Sequence, residues 1–422
     1  MSDPAAQYNS AAEGPVLCSR TSAILVRKRL TVATYSLALL GVLAGCSNAP
    51  QRTIAIPPLG APATIALPVE AAAQRLRFLQ MQSSGRLAAP VPHLAMLREL
   101  DAIARHPRPR VAFRGASGVG LWASSSTYQY VFGQSANGGK TLSAIDVAAN
   151  GCGINVGIKV DHSSNLWVAC EADPTFAHGL VQEYTNGALA GTYGEGCPSP
   201  SCTQWYSYGF DVATDTFNHV FAGLTYFQMI VGTTTTIGSG FEWWSSPSAA
   251  PALIALPSNN PVTTVYYFDV DSVGNIWFDY EGCTTSCGFG LAEIATPTTA
   301  PIFVPALPPG TIGYPGGVYV SNGGTVLNVT DQESRTISQY KLPWTPSETP
   351  FNVLGPTYSN DAGCGDPVSG GFNQKETRQA DGDQCGWLDV GKMKKKGKSS
   401  YSAVTNPNFA GLAGAAYVPS DK

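Results

Sequence analysis

The sequence predicts an all-β protein, a β-propeller of about six four-stranded blades, with a seventh if the irregular loops supply further strands. Three observations carry this. A hairpin of one design recurs through the last three hundred residues, its copies stand 45 to 61 residues apart, and the two ends of that region read as complementary halves of one repeat. Composition agrees: 76 of 422 residues are Gly or Pro and 13% are charged, which describes a turn-rich, weakly charged chain. At 44% hydrophobic it has enough apolar side chain for a large core, which excludes disorder throughout, and a net charge of −4 gives no electrostatic reason to expect nucleic acid.

In chain order, residues 1–25 are a polar upstream extension that points to a translation start placed too early. Residues 26–46 read as an export signal. Arg27, Lys28 and Arg29 precede a mostly apolar run shorter than the roughly 20 residues a membrane-spanning helix needs, and the run ends in Leu43-Ala44-Gly45-Cys46. That box resembles the lipobox of bacterial lipoproteins. The resemblance implies lipidation at Cys46, a membrane anchor, and a location in the cell envelope facing the periplasm or the exterior. Residues 47–114 form a Pro/Ala-rich tether with two stretches of helical periodicity, closed by His106-Pro107 and Arg108-Pro109, and the propeller is expected over 115–422.

Inside the propeller the hairpin is clearest in Phe268 to Phe278 and Gly157 to Val168. In both, Val-Asp ends one strand, a polar turn follows, and Asn-Ile-Trp or Asn-Leu-Trp opens the next. Weaker copies occupy Gly209 to Phe221, Gly317 to Leu327 and Gln379 to Leu388. Trp122, Trp167, Val220, Trp277, Val326 and Trp387 are taken as equivalent points, 45, 53, 57, 49 and 61 residues apart. Gly118 to Ala123 reads as a second strand with nothing before it, and Phe409 to Val418 as a first strand with nothing after it. Pairing of these two strands is expected to close the ring.

The wording at Asp271 to Phe278, Asp-x-x-Gly-Asn-Ile-Trp-Phe, resembles the repeats of NHL-type propellers and of the streptogramin lyase-like and gluconolactonase-like propellers. That resemblance implies the fold more than an activity, because the architecture carries binders, lyases and lactonases alike.

Cysteines outside Cys18 and Cys46 number eight and fall into local pairs, so an exported chain is expected to carry disulfides Cys152–Cys170, Cys197–Cys202, Cys283–Cys287 and Cys364–Cys385; zinc is the rival reading. Glu171 and Glu281 each follow a blade tryptophan by four residues, which makes them candidate channel acids able to hold a divalent cation such as Ca or Mg, with a solvated loop acid as the alternative. Lyase-like relatives pair a glutamate with a histidine, whereas Glu281 is followed by Gly282 and Cys283. His162, His178 and His219 read as turn or surface residues. No nucleophile elbow or phosphate-binding glycine loop is present. Trp205, Tyr206, Tyr208, Trp243 and Trp244 are candidate ligand-binding aromatics, or else blade core, and Lys392 to Lys398 could touch anionic polymers or simply be solvated. The expectation is a monomeric, lipid-anchored binding protein that takes a glycan or protein ligand without a cofactor. The alternative is a metal-dependent lactonase or lyase.

Overall fold

The computed structural model describes residues 118–418 except 127–128, 174–177, 195, 247–248, 257–260, 284–286, 296–301, 322–323, 346–347, 357–366, 374, 376, 393–399, 406–408 and 410. Cys46, the signal, the tether, Cys364 and most of the lysine run therefore lie outside the described residues.

Among the described residues twenty-four strands make six sets of four. The first blade takes β1 (Leu121–Ser125), β2 (Tyr130–Gln134) and β3 (Thr141–Asp146). Blade 2 is β4 (Ile154–Val160), β5 (Leu166–Ala172), β6 (Leu180–Thr185) and β7 (Ala188–Tyr193). Blade 3 is β8 (Gln204–Thr214), β9 (Val220–Val231), β10 (Thr234–Trp244) and β11 (Ala252–Ala255). Blade 4 is β12 (Val262–Val270), β13 (Ile276–Cys283), β14 (Cys287–Ala295) and β15 (Ile302–Ile312). Blade 5 is β16 (Pro315–Val320), β17 (Val326–Asp331), β18 (Thr336–Lys341) and β19 (Asn352–Leu354). Blade 6 is β20 (Pro367–Phe372), β21 (Arg378–Asp383), β22 (Trp387–Lys392) and β23 (Ser400–Thr405).

The last strand, β24 (Leu412–Tyr417), pairs antiparallel with β1, Trp122 lying opposite Ala416, and so supplies the innermost strand of blade 1. The ring closes as the two half-repeats require. A single bridge, Ser369 to Gly414, joins the inner strands of blades 6 and 1 into one continuous eight-stranded sheet. Closure leaves no blade without a neighbour on either face, which removes the edge and burial problem of an open array.

In blades 2 to 4 one aspartate holds the first hairpin. Asp271 accepts from the amides of Val273 and Asn275, from Asn275 Nδ2 and from the Trp277 indole, all within 3.1 Å. Asp161 does the same for Ser163, Asn165 and Trp167, and Asp215 for Phe217 and His219. This explains the Asp-to-Trp spacing in the sequence: the carboxylate satisfies turn amides that have no ladder partner and fixes the ring that starts the next strand.

Packing is divided among the seams. Phe221 and Phe241 of blade 3 meet Phe268 and Phe278 of blade 4, Trp167 and Val181 of blade 2 meet Val220 and Trp244 of blade 3, and Leu388 of blade 6 meets Leu121 and Phe132 of blade 1. Each fully buried ring contributes about 2–3 kcal/mol relative to exposure.

The first three expected disulfides are present, and Cys385 is disulfide-bonded. One equivalence fails. Trp387 lies on the third strand of blade 6, not the second, because β21 carries no aromatic residue; the blade 6 turn is one residue longer than those of blades 2 and 4, and the register puts Ala380 opposite Gly371 as it puts Trp277 opposite Asp269.

Candidate functional site

Inner strands that are not neighbours around the ring can meet only across its central channel. Lys159 of β4 and Asp269 of β12 do so: the ammonium lies 2.7 Å from both carboxylate oxygens, with blade 3 standing between their two blades. Asp269 also takes the amides of Val270 and, from blade 5, Val320. One carboxylate thus ties three inner strands together. Its side chain is 3% exposed, while that of Lys159 remains 30% exposed toward the opening.

This pair sits in a cavity of about 270 Å³ lined by all six inner strands, at the end where each first strand turns into its second. Asp161, Asp215 and Asp271 rim it on blades 2, 3 and 4. Tyr319, Phe372 and Tyr417 line it on blades 5, 6 and 1. A second crossing involves Phe210, Tyr267 and Val368 from blades 3, 4 and 6, with the Phe210 and Tyr267 rings edge to face at 4.9 Å. Tyr267 lies two residues before Asp269 on β12, so these rings stand deeper along the strand than the ion pair and narrow the channel there.

Buried acids surround the pair. Asp211 takes the amides of Val212 and Phe268, repeating on blades 3 and 4 what Asp269 does on blades 4 and 5. Burial pushes its carboxyl up to about 8, against the lowering effect of those amides and of Lys159. Its carboxyl packs so closely on Gly157 that a Cβ there would collide with it. Asp279 takes the Tyr267 amide, which the bulge between Val265 and Phe268 leaves without a regular ladder partner, and burial holds it well above the usual carboxylate range. Burial favours the neutral form of such groups, which serve the ring as hydrogen-bonding posts.

Glu171 and Glu281 do occupy equivalent positions, but neither lines this cavity. Both are buried near the ends of second strands β5 and β13, opposite the starts of the inner strands and so at the far end of the blades from the cavity. Glu281 accepts from the Tyr266 hydroxyl at 3.1 Å, and burial raises its carboxyl. Equal spacing in sequence fixes the place along a strand but not which end of the ring carries the cavity. Asp331 and Asp383 share the place, lying opposite Pro315 and Pro367, and Asp331 accepts four backbone amides. Among the described residues no three His, Cys, Asp or Glu side chains converge as metal ligands.

The candidate aromatics lie on strands, not loops. Trp205, Tyr208 and Trp244 are buried, packing on Phe227, Tyr226 and Tyr193; Trp243 stacks on Phe221, and Tyr206 stacks on His178. Trp205, Tyr208 and Trp244 form blade core, because long strands β8 to β10 need rings between them, while Tyr206 and Trp243 are partly buried. His162 lines the cavity and His219 hydrogen-bonds Asp215. Lys159, Asp269 and Asp211 were missed. The Asp-Val dipeptide repeated at 211–212 and 269–270 was the available signal.

No protein-family model matches the chain, and no curated protein does. Among solved structures it is similar to one titled as a nidogen/laminin complex (11% identity, TM-score 0.43, covering 71% of this chain and 98% of that one). It is also similar to the periplasmic gluconolactonase of Pseudomonas aeruginosa (11%, 0.41, 68% and 83%) and to a functionally unknown protein of Desulfotomaculum acetoxidans (14%, 0.44, 71% and 99%). Likenesses this distant carry no activity across, and the propeller assignment rests on the strand order and ring closure.

Proposed function

We propose that this chain is an exported lipoprotein, anchored through Cys46, whose propeller binds a ligand or partner at the channel mouth without catalysing a reaction. The observation that supports binding is the state of the mouth's polar groups. Asp161, Asp215, Asp271, Asp269 and Lys159 are each held by turn amides, ring N–H groups or one another, so the polar lining is fixed in place and suits recognition, whereas an acid/base catalyst needs a group able to exchange protons with substrate. The four carboxylates in one cavity favour a second reading, a metal-dependent lactonase or lyase. Two measurements on the full chain, made in a bacterial host and purified in detergent, decide between them. Radiolabelled palmitate should enter the wild type and be lost in Cys46→Ser, and the purified protein should retain no divalent cation after dialysis against a weak chelator. Failure to label removes the anchor. A stoichiometric cation lost in Asp269→Asn would replace the binding reading with the enzymatic one.

A further inference from the structure

Charge is divided unevenly around the ring. From Ile154 to Ile312, blades 2 to 4, the sequence holds thirteen aspartates and glutamates against the single Lys159 and no arginine, a formal −12 where the whole chain carries −4. From Gly313 onward ten acids are balanced by ten lysines and arginines. Setting aside Asp211, Asp279 and Glu242, whose neutral form burial favours, and the acids at the far end, Asp161, Glu183, Asp215, Asp269, Asp271 and Glu293 against Lys159 leave the cavity end of this sector at a formal −5.

Apolar exposure follows the same division. Seven large apolar side chains stand exposed among the described residues, and four are on blades 2 to 4 at the cavity end. Phe217 and Val273, 71% and 70% exposed, are two residues beyond turn aspartates Asp215 and Asp271 on neighbouring blades. Leu189 begins the outer strand of blade 2, and Ile302 that of blade 4. Of the rest, Ile237 lies at the other end and Phe351 and Val353 on the outer edge of blade 5. A tight turn needs no phenylalanine at its tip, since Ser163 fills that place on blade 2. Exposed apolar side chains beside one sign of charge are the composition of a protein-binding face, the apolar groups supplying contact area and the field steering a partner of opposite sign.

We propose that the cavity-end face of blades 2 to 4 docks a protein partner whose surface presents basic side chains interleaved with apolar ones. The proposal rests on the binding reading above and names its partner's chemistry. Phe217 and Val273 are the anchors, and the acidic sector supplies orientation and a fast approach.

The test uses the full chain in detergent and a fluorescein-labelled peptide of alternating leucine and lysine, with leucine–glutamate and serine–lysine peptides as controls. The leucine–lysine peptide should bind, weaken steeply as salt is raised, and lose tenfold or more in affinity with Phe217→Ser/Val273→Ser. Ile302→Ser should give a smaller loss. Unchanged affinity in the double variant, equal affinity for the serine–lysine peptide, or binding of the leucine–glutamate peptide would overturn the proposal. So would a sedimenting dimer that the double variant dissociates, because the occupant would then be a second copy. A failed palmitate label or a retained cation would end the broader reading without moving these affinities, so the two failures are distinguishable.

Discussion

Blades 4 and 6 solve the same packing problem with opposite chemistry. In blade 4, Asp271 caps the turn and holds the Trp277 indole, whose ring fills the seam with Leu291, Val318 and Leu327. In blade 6, Asn373 caps the turn through the amides of Thr377 and Arg378, Ala380 stands where the tryptophan would be, and Gln379 takes the place of Ile276, facing the preceding blade. Its amide donates to the Tyr319 hydroxyl of blade 5 at 2.7 Å and to Asp381, and its carbonyl accepts from Tyr401. A seam can be closed by one ring or by a polar network. The network leaves no aromatic signature, which is why Trp387 is a false landmark on sequence alone.

The largest expected difference is at those two seam residues. Trp277→Ala should cost about 3–5 kcal/mol in urea unfolding, and Gln379→Ala about 1–3 kcal/mol, because the first leaves a cavity and the second strands polar partners. Equal losses would break the distinction. Next come the caps. Asp271→Ala removes four charge-assisted hydrogen bonds and should cost about 2–4 kcal/mol; Asn373→Ala should cost about 1–2 kcal/mol, and Asp271→Asn should recover part of the loss.

A further difference is in pH dependence. Asp381 is pushed up to about 7 by burial, against the lowering effect of Gln379, and Asp211 to about 8. A carboxyl raised on folding favours the folded state while protonated. Its contribution is full below about pH 4 and is lost as pH rises through 7 to 8, with a slope on the order of 1 kcal/mol per pH unit per group. Melting temperatures measured from pH 4 to 8 should therefore fall, and Asp381→Asn should flatten the fall to pH 7 while leaving the part that Asp211 contributes. A profile unchanged by Asp381→Asn would show that the blade 6 network does not titrate.

Glu242 extends that argument to the seam between blades 2 and 3. Neither of its oxygens has a hydrogen-bond partner, and burial holds it well above the usual range. Glu242→Gln should melt higher than the wild type at pH 8, since an uncharged side chain replaces one that burial forces to keep its proton.

What the sequence determined is local. Hairpins follow from alternating strands and the Asp-to-Trp turn, three disulfides from cysteines 4 to 18 residues apart, and the ring closure from two incomplete repeats at the ends of the domain. The uneven charge of blades 2 to 4 is also written there. Tertiary structure alone decided which residues face the axis. Lys159 and Asp269 are 110 residues apart, and Phe210, Tyr267 and Val368 come from three blades. Repeats specify a blade through residues that recur, whereas a channel is built from residues that differ between repeats, each set by its place around the ring. A bulge in an inner strand changes which side chain points inward without changing the spacing of the hairpins. Glu171 and Glu281 are equivalent in spacing and still lie away from the cavity, because both stand at the far ends of second strands.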